Sequence, residues 1–259
     1  MKQEYGLKKF YVSRIKSEPE KSLPVYETGM MLEELAKATV NLTFVKGESY
    51  GDNKKFETPS EFSSGTCTIE TLGMTAAQES YIYGSRLEEG TLVRRGNDQP
   101  PLVGFAFYTT LYSDKTRKTT YEAHFFPKAS AVPGNDDYST KGSSITLKNK
   151  QTTFNLFLAN NDAYEIKKEF DSESDADAYC RSVLNIGEYY EINIVVSGSG
   201  KVTPKGTAYA AAGEDFVMAI EGAPAKVYDN GADVTSSVAG GQYVIAGVDG
   251  PHNIAVIFA

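Results

Sequence analysis

Three stretches of this chain carry residue types at spacings that could do chemistry. The first, "VSGSGKVTP" at 196–204, looks like the glycine-rich cradle of a nucleotide phosphate. Such a loop needs two glycines bracketing four residues, then Lys and Ser or Thr, because backbone N–H groups wrap the phosphates while the hydroxyl holds magnesium. Val195 stands where the first glycine belongs and Val202 where the hydroxyl belongs. The stretch reads instead as a tight hairpin in which "SGSG" joins strand "INIVV" to strand "KVTP", its glycines supplying positive φ angles. The second stretch, "DSESDADAYCRSVLN", has the alternating acids of a calcium loop. Counted from Asp171, its sixth position is Ala176 instead of Gly and its twelfth is Ser182 instead of Glu, so the EF-hand pattern fails twice. The third set is the two histidines, His124 in the alternating run "YEAHFFPK" and His252 in the turn "GPHN". They leave little room for acid–base or metal chemistry, and both read as incidental. Cys67 and Cys180 have no metal-type spacing and read as buried free thiols. With no G-x-S-x-G, no His-based metal motif and no framed acid pair, the expectation is a protein that is not an enzyme, with no catalytic residue, metal or cofactor.

The composition points the same way. The chain has 259 residues, enough for one large or two modest domains, and 34 acids against 26 bases give a formal charge of -8. An acidic balance argues against an electrostatic grip on nucleic acid. Seventeen tyrosines and thirteen phenylalanines, with many Thr and Val, suit a pleated half-buried surface, so a mainly β fold is expected. No apolar run is long enough for a membrane helix and Met1 opens a polar segment, from which a soluble chain made in a cytoplasm is expected.

The elements that must position these residues can be read in order. "YGLKKFYVSRI" is a strand ended by "KSEPEKSLP"; "MLEELAKATVNLTFVKG" starts with weak helical spacing and then alternates at Val40, Leu42 and Phe44. "ESYGDNKKFETPSEFSSG" is polar and rich in turn formers, and reads as a long loop. "TCTIETLGM" is a strand, and "TAAQESYIYGSRLEEG" a short helix with Thr75 as cap, Gln78 completing the box, and Gly84 or Gly90 as its stop. "PLVGFAFYTTLYS" and "KTTYEAHFFPKASAV" form a hairpin about "DKTR", and "SSITLKNKQTTFNLFLA" adds one or two strands. Ala176, Tyr179, Cys180, Val183 and Leu184 make one stripe of a helix capped by Ser172 and Asp175. From Tyr189 onward, short apolar strands alternate with Gly, Asn and Asp turns as in a β-sandwich.

Two resemblances follow from these blocks. "GSGKVTP", "GEDFVMAI", "NGADVTSSV" and "YVIAGVDGPHNIAVIF" resemble a bacterial repeat of the internalin B-repeat or Ig-like kind over residues 189–259. That implies a displayed binding or decoration unit. The order of "YGLKKFYVSRI", "SYGDNKKFET", "FSSGTCTIETLGM" and the segment from "LVGFAFYTT" to "TKGSSI" resembles the major tail proteins of long-tailed bacteriophages over residues 4–158. This resemblance implies a β-sandwich or barrel with flanking short helices in domain 1–188, six copies closing a ring, and rings stacking into a virion tube assembled in the host cytoplasm. DNA passes through the lumen without specific binding, and further partners are the tape measure, tail terminator and distal tail proteins. The loop Tyr50, Gly51, Asp52, Asn53, Lys54 and Lys55 resembles the family's long loop that reaches a neighbouring subunit or ring. The small domain 189–259 is expected outside the tube, where it could meet host surface glycans.

A tube subunit has to present strand edges that neighbours complete, and the aromatic hairpin at 101–132 is the candidate for such shared sheet. The acidic balance suits a bore that repels phosphate. The alternative is a non-viral surface or carbohydrate-binding protein whose C-terminal β-sandwich does the work, with Tyr209, Tyr228 and Tyr243 available to stack on sugars.

Overall fold

Period-two alternation builds most of this chain into antiparallel strands, and the fold is mainly β. The computed structural model describes residues 2–32, 35–46, 49–51, 54–56, 60–134 and 149–258. Two units divide the chain, Met1–Ile186 and Gly187–Ala259.

The first unit opens with β1 (Lys2–Ser17), β2 (Val25–Tyr26), β3 (Met30–Leu32), β4 (Leu35–Lys46), β5 (Ser49–Gly51), β6 (Lys54–Phe56) and β7 (Ser60–Thr71). Helix α1 (Ala76–Tyr83) follows, then β8 (Arg86–Glu88), β9 (Thr91–Val93), β10 (Leu102–Ser113), β11 (Lys118–Val132), β12 (Lys150–Leu156), β13 (Ile166–Phe170) and helix α2 (Glu173–Val183). One sheet runs β2-β1-β10-β11-β12-β7-β4, with β13 added to β11 and β3 to β1. Because β3 leads into β4, its pairing with β1 at Phe10↔Leu32 and Val12↔Met30 brings the two ends of the sheet together. The wall is thus a barrel joined at one end. It keeps a seam between β4 and the first half of β1, whose facing edges have no ladder partner among the described residues.

Inside the wall Phe10, Phe105, Phe107, Phe126 and Phe154 stack with ring centroids 4.8–6.4 Å apart. Burying one such ring contributes about 1.5–3 kcal/mol, and ring pairing adds about 0.5–1.5 kcal/mol. Helix α1 lays Ile82 and Tyr83 into this core. Its expected capping box is present: Thr75 Oγ1 accepts from Gln78 N at 3.2 Å, and Gln78 Oε1 accepts from Thr75 N at 2.8 Å. Gly84 ends it at φ +72°, where an added Cβ would lie 2.4 Å from the Gln99 carbonyl oxygen.

Helix α2 buries Ala176, Cys180 and Leu184 from the expected stripe. Polar ties strap it to the outside of β1 and β10: Tyr11 Oη donates to Asp177 at 2.6 Å, Tyr108 Oη to Glu173 at 3.1 Å, and Ser13 Oγ to the Leu184 carbonyl at 2.5 Å. Ser172 Oγ accepts from Asp175 N at 3.2 Å but donates to the Asp175 carboxylate at 2.6 Å, so the cap is a serine–aspartate pair rather than a full box.

Three readings of this unit need correction. The weak helical spacing before Val40 is overridden: β4 is strand from Leu35 on, because its whole length pairs with β7 and Leu35, Ala38, Val40 and Leu42 turn to the core. Within the polar "loop" expected at 48–65, the described residues are strand, at Ser49–Gly51, Lys54–Phe56 and from Ser60 on. β7 begins at Ser60 and pairs Ser60–Gly65 with Lys46–Leu42, and β5 pairs with β6 farther out in the chain. The hairpin of β10 and β11, expected to be the shared sheet, instead lies in the middle of the wall, flanked by β1 and by β12 and β13.

Cys67 and Cys180 are free and buried, and burial pushes each thiol up to about 12. Both are expected to resist a thiol reagent at pH 8 in the native protein and to react fully in guanidinium. Rapid native labelling would contradict this packing.

The second unit holds β14 (Tyr189–Ser197), β15 (Lys201–Thr203), β16 (Gly206–Ala211), β17 (Phe216–Glu221), β18 (Pro224–Asp229), β19 (Ala232–Asp233), β20 (Gln242–Ile245) and β21 (His252–Phe258). Sheets β16-β14-β21-β18-β19 and β15-β17-β20 enclose Ile192, Ile194, Met218, Ile220, Val227 and Val256. The "SGSG" hairpin is another correction. β14 pairs with β16 and β21 while β15 pairs with β17, so these residues carry the chain from one sheet to the other. Only Gly198, at φ +91°, needs the left-handed region; Gly200 is required by space, since a Cβ there would lie 2.1 Å from the Phe258 ring.

Candidate functional site

The sequence-predicted contact residues fall on the arm. Tyr50 and Gly51 lie in β5, Lys54 and Lys55 in β6, with Tyr50↔Lys55 and Gly51↔Lys54 paired; Asp52 and Asn53 lie outside the described residues. Tyr50, Gly51, Lys54 and Lys55 therefore lie on two paired strands that form a two-stranded sheet of their own.

What sequence reasoning missed is the root of that arm. β7 pairs with β12 only from Gly65 onward, so among the described residues the outer parts of β4 and β7 have each other alone. There Phe44 is 42% and Val45 57% exposed. Phe44 stands edge-on to Phe62 at 6.1 Å and to Tyr164 at 6.0 Å, and Phe62 stacks on Tyr164 at 4.6 Å. A neighbouring cleft of about 490 Å³ between Phe62 and Leu156 has Leu102, Phe157 and Leu158 on its rim, all partly exposed. Clustered exposed apolar side chains mark an interaction surface more often than an accident of composition. The signal was available in the sequence: the alternation at Val40, Leu42 and Phe44 continues past the point where the wall has anything left to cover.

The seam is the second feature. A cleft of about 680 Å³ separates Glu4–Leu7 on β1 from Ala36–Leu42 on β4. Its floor holds His124, whose ring stacks on Phe107 at 5.0 Å with Nδ1 3.2 Å from Glu165 and Nε2 3.4 Å from Glu122. Lys167 lies 3.6 Å from Glu165 and 3.8 Å from Glu122. His124 Nε2 also lies 3.4 Å from Thr109 Oγ1, so the ring is held by Phe107, Thr109, Glu122 and Glu165 together. Among the described residues no group of His, Cys, Asp and Glu is arranged to hold a metal ion.

In the second unit His252 is not incidental. It opens β21 with Nδ1 2.8 and 2.9 Å from the two carboxylate oxygens of buried Asp229, which also accepts Tyr243 Oη at 2.8 Å. Burial, then that hydrogen bond to Asp229, pushes the Tyr243 phenol up. Tyr243 is therefore committed to the sandwich core and cannot stack on a sugar, whereas Tyr209 and Tyr228 are half-buried. Sequence could not show this trio, since its members come from three different strands. Among the described residues no helix is long and apolar enough to cross a membrane. No protein-family model matches the chain, and no curated protein matches it.

Proposed function

We propose that this chain is a structural, non-enzymatic subunit of the tail tube of a long-tailed bacteriophage. The first unit builds the wall of stacked rings, and the second decorates the tube. The observation that carries this reading is the edge of β4 that has no ladder partner among the described residues, with Phe44 and Val45 exposed near the end of the strand. A long strand edge beside an apolar patch is a poor surface for a monomer and a good one for assembly. The order of sequence blocks, which resembles that of tail tube proteins, supports the same reading, with partners that include further copies, other tail proteins and DNA in transit.

Purified protein is expected to give rings or tubes in negative stain, with light scattering that rises with concentration. A monodisperse monomer at high concentration overturns the proposal. Deleting residues 187–259 is expected to leave tubes that are intact but thinner. Loss of tubes on that deletion would remove the second unit from its decorative role.

A further inference from the structure

A third cleft, of about 270 Å³, lies where the C-terminal end of α1 and the segment after β9 meet the end of β11 and the start of β12. Tyr83 and Pro133 give it apolar walls, and Arg94, Arg95 and Lys150 bring three cations to it on a chain whose formal charge is -8. The carboxylates beside them are already engaged. Glu79 pairs with both Arg94 and Lys150, the latter at 3.3 Å, and Asp98 accepts from the Arg95 backbone N–H at 2.9 Å. The Arg95 guanidinium has no ion pair or hydrogen bond among the described residues, and three cations against two carboxylates leave one positive charge over. Ser85, just past the helix stop at Gly84, is 6% exposed and lines the same cleft. Its carbonyl accepts from Ser80 Oγ at 2.6 Å, but its own hydroxyl meets no partner among the described residues. A buried hydroxyl left unpaired is a standing cost to the fold unless a group from outside the chain accepts its hydrogen bond.

We propose that this cleft binds a small organic phosphate monoester. Its phosphoryl oxygens accept from the Arg95 guanidinium, the Lys150 ammonium and the Ser85 hydroxyl, and its organic body lies against Tyr83 and Pro133. The unused groups decide for an anion, since both Arg95 and Ser85 have hydrogens to donate and the surplus charge is positive. The arrangement favours phosphate over carboxylate. The donors come from three separate elements, the end of α1, the segment after β9 and the first residue of β12, which suits the several oxygens of a tetrahedral group better than the two of a planar one. The volume calls for a body beyond the phosphoryl group, because small-molecule pockets begin at about 300 Å³ and this cleft comes close to that bound. Such a ligand adds a binding function to a chain otherwise read as structural.

Calorimetric titration of the dispersed full chain with phenyl phosphate, inorganic phosphate and acetate reads the site, with ionic strength held constant so that general screening drops out. Phenyl phosphate is expected to bind about tenfold tighter than inorganic phosphate, from the apolar area its ring buries, and acetate to bind weakest. Arg95→Ala is expected to weaken phosphate at least about tenfold through the lost charge-assisted bonds, and Ser85→Ala about three- to tenfold. Arg95 is exposed and its side chain holds nothing in the fold, so that variant is expected to fold normally. Without ligand, Ser85→Ala is expected to melt no lower than the wild type, because the hydroxyl it removes has no partner to lose. A fall of several degrees there would show a structural role for the hydroxyl and overturn the proposal. Acetate binding as tightly as phosphate, phenyl phosphate binding no tighter than phosphate, a response no greater than that to chloride, or wild-type affinity in both variants would overturn it equally. Binding is measured on the dispersed chain, so its failure and a failure to assemble are separate results.

Discussion

Replacing residues 50–55 with a short glycine/serine turn is expected to leave a folded monomer that no longer polymerises. The replaced segment takes in most of β5 and β6, which among the described residues pair only with each other. The barrel core of Phe10, Phe105, Phe126 and Phe154 lies in other strands, and so does the α2 strap. The melting temperature of the first unit should therefore move little, because surface changes away from caps and cores stay within about 0.5 kcal/mol. Scattering and negative stain carry the functional result. Assembly at the wild-type concentration would show that the arm tip makes no contact, and a lowered melting temperature would show that it braces the monomer instead.

The second large effect belongs to Asp229. This buried carboxylate serves Tyr243 Oη and His252 Nδ1 together. Asp229→Ala leaves both without their acceptor inside the sandwich, a loss of about 3 kcal/mol. For a unit of this size that is a fall of roughly 10–25 °C in its melting transition. Calorimetry is expected to show that fall in the transition of the second unit, with the first unit's transition unchanged. A shift of under about 3 °C would mean the network is dispensable. The raised phenol of Tyr243 also sets an alkaline limit. An unfolded tyrosine loses its proton near pH 10 while the folded one holds it, so this stability is complete below about pH 10 and declines as pH rises further.

How far the sequence could be read depended on how far the deciding contact lay from the residue. The α1 cap and the Gly84 stop were legible because every partner lies within the helix's own ends. The β10–β11 hairpin was legible because its turn is local, though its place in the middle of the wall depends on β1, β12 and β13. The strands of the arm were not, since the Ser, Gly and Lys residues of 49–51, 54–56 and 60–65 become strand only by pairing with β4 and with one another. "SGSG" was misread because glycines permit a hairpin and a sheet-to-sheet crossing equally, and Phe258, which demands the space, comes from the last strand. His252 was read as a turn residue beside Gly-Pro, when its function in the fold is set by Asp229 across the sheet.

The parallel pairing of β14 with β21 has a mechanical consequence. The first and last strands of the second unit lie side by side in the same direction, from Ile192↔His252 to Ser197↔Ile257. Tension applied between the beginning of β14 and the end of β21 loads that whole ladder in shear, so its bonds must fail together rather than peel one after another. Under pulling, this small sandwich behaves as a clamp.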